Sequence, residues 1–131
     1  MIPPLPTNEE TNDLFEEVAI RFSLAYGVPM TEAEAAVRQY YGAVESSWGD
    51  DYFHHEGARA LVWETHTLAV EGLAWGTPQW HAARQAWHQS TSPLPEGIER
   101  LSADQRRVTL DRREAFDRKR RGLGEGWLPG R

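Results

Sequence analysis

The sequence has no cysteine, and Lys119 is the only lysine among its 14 basic residues. Without cysteine there is no disulfide, no thiolate metal ligand and no cysteine nucleophile. That absence suits a reducing compartment. No uncharged apolar run approaches the length of a membrane span. The first ten residues, MIPPLPTNEE, carry neither the basic nor the apolar region of a secretory signal. A cytoplasmic location without membrane contact is expected. The chain also lacks a GxSxG elbow, a P-loop, a GxGxxG turn, an HExxH motif and any His-x-x-x-His pair. Strand-like alternation is missing as well.

What is present is acid at one end and base at the other. Residues 1–75 hold 13 acidic and 3 basic side chains, a net of −10, and residues 76–131 hold 7 acidic and 11 basic, a net of +4. Nucleic-acid binders usually show a broad basic face, so no nucleic-acid partner is expected. The basic end suits a tail lying on an acidic partner, or on the chain's own body.

At 131 residues the chain fits one domain with a core of its own. Its organising stretch runs from Asp51 to Trp75, where Ala58, Leu61, Val62, Thr65, Leu68, Ala69 and Leu73 recur at helical spacing. The pattern predicts one helix of roughly 20 residues, about 30 Å long, capped by Asp50 or Asp51 and ended by Gly72 or Gly76. Before it, a proline-rich arm leads to a helix capped at Thr7, with Leu14, Phe15, Val18, Ala19, Phe22, Ala25 and Tyr26 on one face and Gly27 as its stop. Thr31 and Glu34 suggest a second capping box, with Met30 as a staple, for a helix that Gly49 ends. After it, Thr77-Pro78 should start a helix with Trp80, Ala83 and Trp87 on one face and His81, Arg84, Gln85 and His88 on another. Ser102 should cap a last helix that stops before Gly122. Its apolar stripe is narrow and its i,i+4 charges are many.

The expected fold is all-α, a small bundle of four to five helices with an extended N-terminal arm and a C-terminal tail. Residues 1–101 form the helical domain. Residues 102–131, a charged helix and Gly-rich tail, are expected to dock on a partner chain, the whole making a single domain. Trp63, Trp75 and Trp127 are candidate interface anchors, since Trp is enriched at binding hot spots. His54, His55, Glu56, Glu64 and His66 are metal-ligand types, but one helix would hold His55 and His66 about 16 Å apart. No metal site is expected.

Val62-Trp63-Glu64-Thr65-His66-Thr67-Leu68-Ala69, then Leu73-Ala74-Trp75 and Trp80, resembles the helical β-type subunit of the nitrile hydratase and thiocyanate hydrolase family. Val108-Thr109-Leu110 and Gly122-Leu123-Gly124-Glu125 with Leu128-Pro129 extend the resemblance in the same order. The family's Tyr-Tyr-x-x-Trp-Leu helix does not show in residues 85–107; a Tyr40-Tyr41 pair lies upstream instead. The resemblance implies a non-catalytic subunit that braces the metal loop of a Cys-containing α-type partner and shapes its substrate pocket. The substrate would be a small nitrile-like or thiocyanate-like molecule at the interface. The metal, cobalt or iron, would sit in the partner. Arg84 is the implied cation at that metal loop, and Trp63, Trp75 and Trp80 could wall the pocket or fill the core. Two alternatives remain open: an accessory protein that loads metal into such an enzyme, and an unrelated helical adaptor using residues 102–131 to dock.

Overall fold

A computed structural model describes residues 5–48 and 50–125, with the side chains of 45–48, 50 and 123–125 excepted. Six α-helices and one 3-10 turn occur among the described residues, and no strand does. The helices are α1 (Glu9–Tyr26), α2 (Met30–Trp48), α3 (Asp50–Glu56), α4 (Ala58–Ala69), α5 (Pro78–Gln89) and α6 (Ala103–Glu125), with the 3-10 turn at Ile98–Arg100. The all-α fold agrees with the periodicity. The sixth helix arises because the Asp51–Trp75 stretch breaks in two.

That break is at Gly57, whose φ of 83° and ψ of 163° suit only glycine. The second half stops at Ala69. Beyond it Leu73 donates back to the Thr67 carbonyl (3.0 Å), and the chain reverses through Gly72.

The core is built mainly on three helices. Phe15, Val18, Ala19 and Phe22 of α1 meet Ala33, Val37, Tyr40 and Val44 of α2, with Leu61 and Val62 of α4 closing the third side. Phe53 of α3 stands edge-on to Phe15, with ring centres 4.9 Å apart. Such aromatic pairs add to the area they bury. Leu5 reaches the same core and is pinned there by Asn12, whose Oδ1 accepts from the Leu5 amide at 2.7 Å.

The caps show which local signals held. Thr77 accepts from the Trp80 amide at 3.2 Å, with Pro78 in the first turn. Ser102 and Gln105 bond each other's backbone amides reciprocally, at 3.2 and 3.0 Å. The first cap falls one residue later than expected, on Asn8, which accepts from Thr11 at 2.7 Å. α2 begins before its expected cap: the Pro29 carbonyl takes its first helical bonds and Thr31 lies inside the helix. α6 runs through Gly122 to Glu125 rather than ending before it. Gly49 lies outside the described residues.

α6 lies along α1 and also touches α2. Thr109 and Phe116 are its buried side chains among the described residues, and Thr109 hydrogen-bonds Ser23 of α1 in the interior at 2.8 Å. Lys119 pairs with Asp13 at 2.9 Å, Arg120 with Glu17 at 3.1 Å and Arg112 with Glu34 at 3.4 Å. The basic end of the chain therefore meets acids of its own first two helices. How residues 126–131 are disposed, Trp127 among them, lies outside the described residues.

Candidate functional site

The most unusual side chain in the fold is Glu64. It sits at the edge of the apolar stripe of α4, about one turn beyond Leu61, and its residue is fully buried. Carboxylates are almost never fully buried unless they are paired. Glu64 has partners on three other helices. Tyr40 of α2 donates its hydroxyl to Oε1 at 2.6 Å. Tyr52 of α3 donates to the same carboxylate at 3.0 and 3.2 Å. Arg84 of α5 brings its Nε to 3.8 Å from Oε2. A second carboxylate, Glu56 of α3, closes on the Arg84 guanidinium as an ion pair.

The Gly57 break makes this meeting possible. In one continuous helix Tyr52 and Glu64 would be separated by about 18 Å along the axis. With the chain turned at Gly57, α3 folds back and both Tyr52 and Glu56 come to the Glu64 carboxylate. The reversal after Ala69 then returns Trp75, which meets Tyr52 edge-on with ring centres 5.7 Å apart.

α5 supplies the outer wall. Trp80, Arg84 and Trp87 fall at i, i+4 and i+7 and face inward together. The expected placement of Arg84 among His81, Gln85 and His88 is therefore corrected. Those three are exposed, whereas the Arg84 side chain is 32% exposed and lies over the Trp80 ring, 5.8 Å from its centre. Trp63 stacks on Trp87 at 5.1 Å and sits 6.4 Å from Trp80, which in turn is 5.5 Å from Trp75. Of the site residues picked out from sequence, Arg84, Trp63, Trp75 and Trp80 thus gather in one place. Trp80 is buried, so it backs this face rather than presenting itself on it. Its Nε1, like the Thr65 hydroxyl, is enclosed without a hydrogen-bond partner among the described residues.

The electrostatics of the cluster follow from its enclosure. Burial raises the Glu64 carboxyl from its ordinary 4.5 to about 7. The Tyr40 and Tyr52 hydroxyls and the Arg84 charge pull it down, and Glu56 pushes it further up. The two phenols are held protonated far above the usual tyrosine range, by burial first and then by Glu64.

Sequence reading picked out Arg84 and the tryptophans but passed over Glu64, Glu56, Tyr40 and Tyr52 as a unit. The available signal was a glutamate at the edge of an apolar stripe, three residues after Leu61. Among the described residues no group of three or more His, Asp or Glu could hold a metal ion. His54 is taken up by Thr11, with 3.0 Å between Nε2 and Oγ1, and His66 stacks on Tyr26 at 3.8 Å. Two open clefts of about 500 and 400 Å³ flank α6, and neither is lined by Glu64, Arg84 or these tryptophans.

No family model, curated protein or solved structure matches the chain.

Proposed function

We propose that this chain is a non-catalytic helical subunit of a nitrile hydratase-like or thiocyanate hydrolase-like metalloenzyme, bracing the metal loop of a Cys-containing α-type partner. The observation that supports this reading is the convergence of residues 63–84. Trp63, Trp75, Trp80 and Arg84 come from α4, the reversal after it and α5; the three tryptophans are among the residues that carry the resemblance, and Arg84 is the cation that it implies. They meet around one partly exposed guanidinium on an aromatic wall. A partly exposed cation at such a wall suits oxyanions of a neighbouring chain, because charge-assisted hydrogen bonds are the stronger kind. The residues present do not fit the cobalt or iron that the resemblance implies: the chain has no cysteine, and its described His, Asp and Glu form no ligand set. In this reading the metal belongs to the partner.

The test is co-expression with a Cys-containing α-type chain, followed by native mass spectrometry and turnover of a small nitrile or thiocyanate. A stoichiometric complex is expected. Arg84→Ala should lower kcat, with the helical circular dichroism unchanged. Turnover unaltered by Arg84→Ala would take Arg84 out of the site. An accessory protein for metal loading would bind the α-type chain only transiently in the same experiment.

A second reading, a helical adaptor docking through residues 102–131, has one observation of its own. Val108 and Leu110 of α6 stand 49% and 41% exposed. Stable binding to a chain unrelated to any metalloenzyme, lost when residues 122–131 are removed, would favour it.

A further inference from the structure

The charges around Arg84 do not balance. Two carboxylates, Glu56 and Glu64, face one guanidinium. The groups around Glu64 are Tyr40 from α2, Tyr52 and Glu56 from α3, and Arg84 from α5. His66, two residues further along α4, turns instead to Tyr26 and Glu71. Among the described residues Arg84 is thus the cation that faces the two acids. With both acids ionised, one negative charge is left uncompensated beside an enclosed carboxylate, which is costly. A single proton removes it. Glu64 is the acid that takes the proton, because its side chain is 1% exposed against 10% for Glu56, and because Glu56 holds the closer contact with the guanidinium.

We propose that Glu64 is a positioning residue for Arg84, whose gain or loss of a proton decides whether the guanidinium is held by two carboxylates or by Glu56 alone. With Glu64 ionised, Arg84 bonds Glu56 through Nη2, while its enclosed Nε, which makes no hydrogen bond, is drawn towards Glu64 by charge across 3.8 Å, with the guanidinium carbon 5.8 Å from the Trp80 ring centre. With Glu64 protonated, the Nε side is released. The side chain, already a third exposed, then turns outward and becomes available to an oxyanion on a docking surface. The two tyrosine hydroxyls keep Glu64 in place through the change, since a carboxyl retains acceptor oxygens in either state. The raised carboxyl, at about 7, puts this exchange near neutral pH. What Arg84 meets outside rests on the subunit reading above; its holding and release belong to the free chain.

The experiment is therefore done on the free full-length chain by NMR from pH 5 to 9. Two quantities are followed: the carboxyl carbon shift of Glu64 and the heteronuclear NOE of the Arg84 Nε–H. Expected is a Glu64 transition centred near 7, with the Arg84 NOE high above it and reduced below it at the same midpoint. The Trp80 indole Nε1–H should shift with the same midpoint, since Arg84 lies over that ring. Glu64→Gln should leave the Arg84 NOE low at every pH. Should that variant fail to fold, the wild-type co-titration still decides the matter. A Glu64 carboxyl that does not titrate between pH 5 and 9 overturns the proposal. So does one that titrates while the Arg84 NOE stays constant, because Glu56 alone would then suffice. Co-titration in a chain that never assembles with an α-type partner keeps this inference and removes the subunit reading. The reverse result does the opposite.

Discussion

A buried glutamate leaves a mark on stability as well as on its neighbours. Unfolded, Glu64 gives up its proton around the ordinary 4.5; folded, it keeps it until about 7. Between those values the folded chain binds more protons than the unfolded one, so stability falls as pH rises. Glu64's contribution is fully present below 4.5 and is lost by the time pH has passed through about 7, a difference on the order of 3 kcal/mol. Urea unfolding at pH 5 and pH 8 checks this when wild type is compared with Glu64→Gln. The variant's stability relative to wild type should improve by about that amount on going to pH 8. An equal gap at both pH values would mean that Glu64 ionises as freely in the fold as out of it. Tyr40→Phe should lower stability most above neutral pH, because it removes a donor at 2.6 Å from the ionised carboxylate. A cost of about 1 to 3 kcal/mol is expected, measurable in the same urea series. At this scale the sequence is half legible. Tyr40 announces itself as buried through its spacing with Val37 and Val44. Glu64 hides because a single acid at the edge of a stripe of seven apolar or small residues does not change the stripe.

Some helix ends written in adjacent residues could be read, although the caps expected at Thr7 and Thr31 were not used, and ends set by distant packing could not. Thr77-Pro78 and Ser102–Gln105 are local devices, complete within four residues, and the structure uses both. Gly57 is a different kind of signal. A glycine inside a helix costs only about 1 kcal/mol, so the apolar stripe around it outweighs it in any local reading. The break is repaid at a distance: it lets Tyr52 reach Glu64 and seats Phe53 against Phe15 and Tyr40, partners that local sequence does not show. Gly97 is also set from a distance. Its amide donates to the Leu24 carbonyl at 3.0 Å, and a Cβ there would come 2.8 Å from the Tyr26 carbonyl carbon and 2.9 Å from the Ala25 oxygen. Its neighbour in this crossing is Gly27, in the left-handed conformation that ends α1. Backbone stands against backbone, so no side-chain adjustment relieves the clash. Gly97→Ala should cost about 1 to 3 kcal/mol in the urea midpoint, and amide exchange should rise first at the end of α1 and in the 3-10 turn. A neutral Gly97→Ala would mean that this crossing is looser than the structure has it.

At the scale of the molecule, the question is what holds α6 in place. The net charges of −10 and +4 on the two stretches of sequence left the basic end to an acidic partner or to the chain's own body, and three ion pairs join α6 to α1 and α2. Their side chains are partly exposed, however, and pairs of that kind contribute about 0–1 kcal/mol each, less in salt. Phe116 is 6% exposed and belongs to the core cluster, where removing an aromatic ring costs about 3–5 kcal/mol. The comparison favours Phe116, with the buried Thr109–Ser23 bond, as the anchor, and assigns the charges to choosing register. The narrow stripe noticed in the sequence is enough because it needs only one large residue in the right place. Hydrogen exchange along α6 separates the two accounts. Protection of its amides should survive 1 M salt, where screening acts within about 3 Å, and should collapse in Phe116→Ala at low salt. If salt alone strips the protection, the helix is held by its charges, and its grip on α1 becomes the part of the fold most easily surrendered to an acidic partner.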